Sequence, residues 1–291
     1  MSSTIRVRPT MIVATRNSNK RHDDLNYRKV PTRKEPDGKL SPNARRKFKS
    51  ALRWLIACSD VKQCYEKKKK SIVEYKINLA TFTFKDNFQD DHRARVLFSK
   101  WLEMAHYRFA LERYVWKAEP QKRGAIHFHL ATGKYLPHKE VCYTWNRLLY
   151  RNGIDQRNAN STDVHAVTNA MNLEAYLTEY LMNEDKHQGR RMIKGKLWGC
   201  DHKLSQAGKL YLYVDDDDAR CLDNDLQSFS LRHKLTTPPK FLDFTDVYCL
   251  PENYYQPDQG NELEQLYRKE LELLKPTLKQ KELFPSILDV G

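Results

Sequence analysis

Two histidines separated by one residue, in His127-Phe128-His129, have the spacing in this sequence that best fits metal chemistry. In a β-strand, residues two apart point to the same face of the sheet. Both imidazoles would then project together, while Phe128 enters the opposite layer. Because neutral imidazole is a common metal ligand, the tripeptide predicts two metal ligands on one rigid strand.

Glu119 lies eight residues before His127, at the end of the preceding predicted strand. If the two strands form a hairpin in which 119 pairs with 127, both side chains share one face. Two imidazoles and one carboxylate suit Mg²⁺ or Mn²⁺ that holds phosphate oxygens, with Zn²⁺ as an alternative. A competing interpretation is that Glu119 is an ordinary strand-end carboxylate paired with Lys117 or Arg123.

Two tyrosines four residues apart, Tyr176 and Tyr180, share one face of a predicted helix. A phenolate can attack a phosphorus atom and leave a phosphotyrosine. Its ordinary pKa, about 10, means that it needs help from a cation or a base. The chain has 16 tyrosines, so the residues alone favour a role in the core for this pair.

The stretch Pro120-Gln-Lys-Arg-Gly-Ala-Ile-His-Phe-His-Leu130, with Glu119 before it and the tyrosine helix after it, resembles the HUH endonucleases. It is most similar to the replication initiators of small single-stranded-DNA bacteriophages and rolling-circle plasmids. The resemblance extends from about residue 75 to 200, and Arg-Gly-x-x-His-φ-His is its most specific part. The strand Thr81-Phe-Thr-Phe84 resembles the family's first motif, a structural strand near the DNA.

This resemblance implies a ferredoxin-like nicking domain with a divalent ion, Mg²⁺ or Mn²⁺, on His127, His129 and Glu119. It implies a tyrosine that cuts one DNA strand, keeps the 5′ end as a phosphotyrosine, leaves a 3′-OH to prime synthesis and later allows rejoining. Tyr176 is the expected first nucleophile and Tyr180 the expected second one. The implied function is initiation of rolling-circle replication on single-stranded DNA at an origin, with a host helicase and polymerase as partners.

One position departs from the pattern of many relatives, which carry Tyr-x-x-Lys-Tyr where this chain has Glu179. Other members of the family use two tyrosines, and the spacing of the tyrosine pair favours that version. Without a lysine at this position another cation must balance the charge, and Lys186 and Lys194 are candidates.

The apolar pattern predicts the order strand, helix, strand, strand, helix, strand, helix. The predicted strands cover residues 77–84, 114–119, 125–131 and 162–167, and the predicted helices 91–111, 140–150 and 173–184. When one helix is discounted as an insertion, this order is that of a ferredoxin-like split β-α-β unit, an α+β fold with an antiparallel sheet and helices on one face. Trp101, Trp116 and Trp145 are predicted to lie in its core.

Composition divides the chain into four predicted regions. Residues 1–40 are predicted to be a basic mobile arm, and residues 41–70 a helical extension that starts at Ser41-Pro42. Residues 71–200 are the predicted nicking domain. Residues 201–291 are a predicted irregular extension of unknown role, with an acidic turn at 215–218 and a charged helix over 261–283.

The net charge of +14 predicts a polyanionic partner, because clustered cations release counterions from a phosphate backbone. A generic basic protein, or one that touches anionic lipid, is the alternative. Lys122 and Arg123, in the predicted hairpin loop, are candidate DNA phosphate contacts, with a solvated loop as the alternative.

No run of about 18 apolar residues and no signal-peptide pattern are present, so no membrane span is expected and the bacterial host cytoplasm is the expected location. The six cysteines are scattered without a C-x-x-C pair, which predicts neither a zinc knuckle nor a disulfide framework.

Two other functions are compatible with the sequence. An HUH relaxase or a single-tyrosine transposase would share the chemistry, although relaxases usually carry a three-histidine cluster and such transposases tend to be shorter. A non-catalytic basic nucleic-acid-binding protein would use the histidines structurally.

Overall fold

The computed structural model describes residues 3–9, 11–16, 38–66, 69–155, 160–168, 173–182, 191–210, 212–214, 224, 240–242, 245–249 and 262–275. These residues divide into two compact units. The central unit contains the described residues from 38 to 205, and the terminal unit those up to 16 and from 206 to 275.

The helices are α1 Pro42–Ala57, α2 Asp91–Phe109, α3 His138–Arg151, α4 Leu173–Met182, α5 His202–Gln206 and α6 Glu262–Leu274. The strands are β1 Ser3–Arg8, β2 Met11–Arg16, β3 Lys62–Glu66, β4 Ser71–Tyr75, β5 Asn78–Thr83, β6 Tyr114–Pro120, β7 Ile126–Thr132, β8 Thr162–Ala166, β9 Trp198–Cys200, β10 Leu212–Val214, β11 Lys240–Leu242 and β12 Thr245–Cys249.

A five-stranded antiparallel sheet organises the central unit, in the order β8-β5-β7-β6-β9. The four strands predicted from the sequence are all present. Numbered along the chain, they are neighbours in the sheet in the order fourth, first, third, second. The short strand β9 was not predicted, and it pairs with β6 at the edge. The expected α+β architecture with an antiparallel sheet is confirmed.

One face of this sheet packs against α2 and α3 through an aromatic core. The rings of Phe98 and Phe128 stack with centroids 4.3 Å apart and planes 1° apart. The ring of Phe82 lies 4.3 Å from Trp101 and 5.4 Å from Trp145. Aromatic pairs of this kind add about 0.5–1.5 kcal/mol beyond the burial of their area. The three tryptophans predicted as core residues are buried: Trp101, Trp116 and Trp145.

The other face of the sheet carries the histidines, because the side chain of Phe128 points into the aromatic core and neighbouring residues alternate. Helix α4 lies on this face, where Tyr180 contacts His129. The prediction that the helices occupy one face is therefore wrong for α4. Its short apolar pattern fits packing on either side of a sheet, so periodicity alone could not assign the face.

The predicted helical extension is only partly helical. Helix α1 begins as predicted, with the Ser41 side chain accepting the N–H of Ala44 at 3.2 Å and Pro42 in the first turn. Beyond it, β3 pairs with β4 as a two-stranded ribbon. The lysine-rich composition of this stretch hid the alternation of the two strands.

In the terminal unit, β1 pairs with β2 and β10, while β2 pairs with β12 and β12 with β11. Helix α6 covers this sheet, and the amide of Leu210 donates to the Glu270 carboxylate at 2.7 Å. The buried hydrophobic side chains of this small core are Ile5, Val7, Ile12, Ala14 and Leu266.

The predicted mobile arm over residues 1–40 is corrected for residues 3–8 and 11–16, which are β-strands. The apolar residues Ile5 and Val7 alternate with polar ones, and this period-two pattern outweighs the basic composition. The C-terminal extension is more regular than predicted, with β10 to β12 and with α6 in the place of the predicted terminal helix. Residues 17–37 of the arm and the acidic turn at 215–218 lie outside the described residues.

Among the helices of the described part of the chain, none combines the length and the apolar character needed to span a membrane.

Candidate metal centre

The β6–β7 hairpin pairs Glu119 with His127, which confirms the register predicted from the sequence. A tight loop sets this register: the amide of Gln121 donates to the Ala125 carbonyl at 2.8 Å. Gly124 in the loop has a φ of +91°, a conformation that favours glycine. The short loop therefore holds the carboxylate and the imidazole on one face of the sheet.

The neighbouring strand β5 completes the surface around the hairpin. Thr81 pairs with His129, and Thr83 pairs with His127. On the other side, Lys117 of β6 pairs with His129. Because directly opposed residues of an antiparallel pair point to the same face, these polar side chains gather around the two imidazoles.

Three ligand atoms converge at this place. Nε2 of His129 lies 3.1 Å from Nε2 of His127 and 3.3 Å from Oε2 of Glu119. Nε2 of His127 lies 3.7 Å from Oε2 of Glu119. A metal about 2.0–2.2 Å from each ligand has neighbouring ligand atoms roughly 3 Å apart. These separations fit one divalent ion, so the three residues could hold a metal.

Two further side chains orient these candidate ligands. The hydroxyl of Thr81 lies 3.1 Å from Nδ1 of His129, and the second nitrogen of a metal-binding histidine usually makes such a contact. Lys117 Nζ donates to Oε1 of Glu119 at 2.8 Å, which leaves Oε2 toward the histidines. The competing interpretation, pairing with Lys117, is therefore compatible with the ligand geometry, since each uses a different oxygen. Arg123 instead donates to the backbone carbonyl of Phe84.

The carboxylate of Glu119 is held in its ionised form. Burial by itself would raise its pKa, but hydrogen bonds with His127 and His129 and the charge of Lys117 hold the pKa well below its ordinary value. An ionised carboxylate beside two imidazoles is the donor set that divalent metals accept.

The structure brings the tyrosine helix to the histidine pair. The ring of Tyr180 lies 5.4 Å from that of His129, edge to face. Tyr176 stacks on Tyr180 with centroids 6.0 Å apart and is 39% exposed. Tyr180 is half-buried, and burial raises the pKa of its phenol despite a hydrogen bond with Thr81. Helix α4 also contacts α1 through an ion pair, in which Arg53 Nε of α1 donates to Glu174 Oε1 of α4 at 2.6 Å.

Lys122 and Arg123, the predicted phosphate contacts, are exposed at the tip of the hairpin. Both line a cavity of about 410 Å³ together with Thr83 and Asn160. Because Thr83 pairs with His127, this basic cavity borders the end of the strand that carries the candidate ligands.

Among the described residues, Lys117 places a cation at this centre, and this residue is only 5% exposed. The sequence suggested Lys117 only as an ion-pair partner of Glu119. The two residues are two positions apart on a strand, which already predicts that their side chains lie on the same face of the sheet. Lys194, one of the predicted cations, is exposed, and its backbone amide donates to Asp91 at 2.8 Å. Lys186, the other predicted cation, lies outside the described residues.

A larger cavity of about 580 Å³ lies between α2, β6 and β9. Its lining includes Arg95, Tyr107, Trp116 and Lys196, but none of the three candidate metal ligands. Size alone therefore does not locate the candidate metal centre, whose three donor groups lie together on the histidine face of the sheet.

One comparison with known families covers the segment that contains this site. Residues 78–185 match the sequence model of a family described as replication-associated proteins. The matched segment is less than half of the chain, but it runs from β5 past α4 and contains the three candidate ligands and both tyrosines. Over this segment the chain is similar to replication-associated proteins. No curated protein and no solved structure gave a match.

Proposed function

We propose that this chain is a replication initiator that nicks single-stranded DNA at an origin and later rejoins the strand. The observation that carries the proposal is the convergence of Glu119, His127 and His129 with the tyrosine face of α4. This convergence lies inside the segment that matches a replication-associated family.

The proposal includes membership of the HUH endonucleases and a ferredoxin-like split β-α-β domain. The strand order fourth, first, third, second supports that topology. The shared face of Glu119 and the two histidines supports the HUH assignment.

In this proposal Glu119, His127 and His129 hold Mg²⁺ or Mn²⁺. When bound, such an ion polarises the scissile phosphate and stabilises the departing 3′ oxygen. Thr81 keeps the His129 ring in its orientation through Nδ1. Lys117 holds Oε1 of Glu119, so that Oε2 stays directed toward the histidines.

Tyr176 is the proposed first nucleophile. A bond forms between its phenolic oxygen and phosphorus, the bond from phosphorus to the 3′ oxygen breaks, and the 3′ oxygen ends with the proton that the phenol loses. The exposure of Tyr176 supports this role, because a DNA phosphate can approach it. Tyr180, which is half-buried and hydrogen-bonded with Thr81, is the proposed second nucleophile. Its attack releases a new 3′-OH, which attacks the phosphorus bound to Tyr176 and rejoins the strand, while the phenol of Tyr176 leaves and takes up the proton. Burial raises the pKa of the Tyr180 phenol, so its attack depends more on a cation or a base than that of Tyr176 does.

Arg123 and Lys122 are the proposed contacts to the DNA backbone. Their exposure at the hairpin tip and the basic cavity that they line support this role, since guanidinium groups match phosphate oxygens. The proposed partners are single-stranded origin DNA and the host helicase and polymerase, in the cytoplasm of a bacterial host.

A nicking assay tests this function directly. The full chain is incubated with Mn²⁺ and single-stranded oligonucleotides that tile its own replicon, and products are separated on a denaturing gel. We expect a cleaved strand and an SDS-resistant protein–DNA adduct, both lost in the double variant Tyr176→Phe/Tyr180→Phe. Tyr107→Phe, an exposed tyrosine of α2, is the matched control and should behave as wild type.

The same assay separates the alternatives. Binding to every oligonucleotide without cleavage or adduct would support a non-catalytic nucleic-acid-binding protein. A relaxase or a transposase would give the same adduct, and the match to a replication-associated family favours initiation over both.

A further inference from the structure

We propose that the outer face of α3 binds single-stranded DNA, as a second contact surface separate from the candidate metal centre. This surface, the α3 stripe, consists of Lys139, Tyr143, Arg147 and Tyr150. Binding there is independent of the nicking chemistry, because it requires neither the metal nor the tyrosines of α4.

The stripe follows the helical repeat. Lys139, Tyr143 and Arg147 are four residues apart, and Tyr150 is three residues further, so their side chains lie on one face of the helix. The opposite face of α3 is buried against the aromatic core through Val141, Trp145 and Leu149. The stripe therefore points away from the core.

Both tyrosines of the stripe offer ring surface to solvent: Tyr143 is 54% exposed and Tyr150 is 60% exposed. Arg147 lies 5.9 Å from the centre of the Tyr143 ring and donates to its hydroxyl at 3.3 Å. This contact holds an aromatic ring and a guanidinium side by side at the surface. Unpaired bases stack on such rings while the backbone phosphates meet the cations.

The charge of the surface complements a phosphate backbone. The single carboxylate in the sequence of α3 is Glu140, and Arg108 of α2 donates to it at 3.4 Å. Arg93 of α2 donates to the carbonyl of Asn152, just past the other end of α3. Arginines from α2 thus flank the stripe, whose own charged residues, Lys139 and Arg147, are both cations.

Single-stranded DNA fits this surface better than a duplex does. The stacking partner of an exposed tyrosine is the face of an unpaired base, and in a duplex those faces are already stacked on each other. The stripe also lies on the side of the sheet opposite the candidate ligands, because α3 packs on the face that buries Phe82 and Phe128. A strand held there would leave the metal centre accessible.

The first test measures binding without cleavage. The full chain in EDTA is titrated into a fluorescently labelled oligothymidylate, and affinity is read from anisotropy. Each lost base stack weakens binding by about fivefold or more, so Tyr143→Ala/Tyr150→Ala should weaken it by about 25-fold or more. The matched control Tyr107→Ala/Tyr135→Ala removes two tyrosines of similar exposure, 63% and 60%, and should bind as wild type.

The second test measures the phosphate contacts. Each phosphate neutralised on a single strand contributes about 0.7 to the slope of log affinity against log salt. Lys139→Ser/Arg147→Ser should therefore lower that slope by about 1.4, whereas Lys100→Ser, an exposed lysine of α2, should leave it unchanged.

Unchanged oligothymidylate affinity in the tyrosine variant, with an unchanged melting temperature, would overturn the proposal. So would an equal loss of affinity for a blunt duplex of the same length. The binding assay contains EDTA and measures affinity without cleavage. A wild-type protein that fails to nick DNA would therefore contradict the proposed function but would not change the interpretation of the binding result.

Discussion

Glu119 and His127 lie directly opposite each other on neighbouring antiparallel strands, with Oε2 of the carboxylate 3.7 Å from Nε2 of the imidazole. His129, two residues further along the same strand, brings its own Nε2 within 3.3 Å of that oxygen. All three candidate ligands therefore come from one hairpin whose register is set by a short loop. A centre built this way needs little rearrangement to accept an ion.

Removing one candidate ligand should abolish tight metal binding. We expect wild type to bind one Mn²⁺ per chain, and His127→Ala to weaken that binding by more than about 100-fold, since even residues that only orient ligands contribute about 10–100-fold. Isothermal titration calorimetry measures the affinity. His165→Ala, which removes a half-buried histidine of β8 paired with Asp163, is the control. Equal losses in the two variants would argue against this centre.

Thr81 should contribute to metal affinity without touching the ion. Thr81→Val keeps the side-chain shape but removes the hydroxyl that lies 3.1 Å from Nδ1 of His129. We expect Mn²⁺ affinity to fall by about 10–100-fold, because the imidazole loses its orienting partner. Thr83→Val is the matched control, since that hydroxyl donates to the carbonyl of Ser161 at 3.0 Å. The expectation fails if the valine at 83 lowers Mn²⁺ affinity as much as the valine at 81.

Lys117 should matter most when no metal is bound. Lys117→Met leaves the buried Glu119 carboxylate without its ammonium partner, and breaking a buried pair costs about 3–5 kcal/mol. A divalent ion restores positive charge beside that carboxylate. Mn²⁺ should therefore raise the melting temperature more in Lys117→Met than in wild type, as thermal unfolding with and without the ion would show. An identical Mn²⁺ shift in both proteins would contradict this expectation.

The stability of the metal-free protein should depend on Glu119 in a defined acid range. Its folded-state pKa is held below the ordinary value of 4.5, so the folded protein binds this proton less tightly than the unfolded chain does. The carboxylate's contribution to stability is complete above the ordinary pKa and is lost as the pH falls below it. The difference in unfolding free energy between wild type and Glu119→Gln should thus shrink from about pH 5 to about pH 3.5. Urea denaturation at each pH measures it, and a difference that grows would count against this role of the carboxylate.

The candidate site was largely predictable from local sequence. Strand parity predicts that His127 and His129 share a face, and the eight-residue spacing to Glu119 predicts the hairpin register that the two strands adopt. The tyrosine pair was different. Helical spacing predicts that Tyr176 and Tyr180 share a face, but their position beside His129 depends on how α4 packs on the sheet, which is a tertiary property.

Two pairs of strands, β1 with β2 and β3 with β4, escaped prediction because their basic composition hid the alternation of their side chains. The strands β1 and β2 are short and basic, and their alternation becomes meaningful only when distant strands such as β12 pair with them. Lys117 was underestimated for a similar reason. A lysine on a strand is usually solvated, and its burial beside Glu119 follows from the strands on both sides of β6.

Covalent attachment of a tyrosine of α4 to DNA is the central step of the proposed function, and mass mapping of the adduct tests it most directly. The SDS-resistant product is digested with trypsin and nuclease, and the peptide that carries the nucleotide remnant is sequenced by mass spectrometry. We expect a 5′-phosphoryl link on Tyr176 in wild type and on Tyr180 in Tyr176→Phe. A remnant on a residue outside α4, or cleaved DNA without any covalent adduct, would contradict the proposed function.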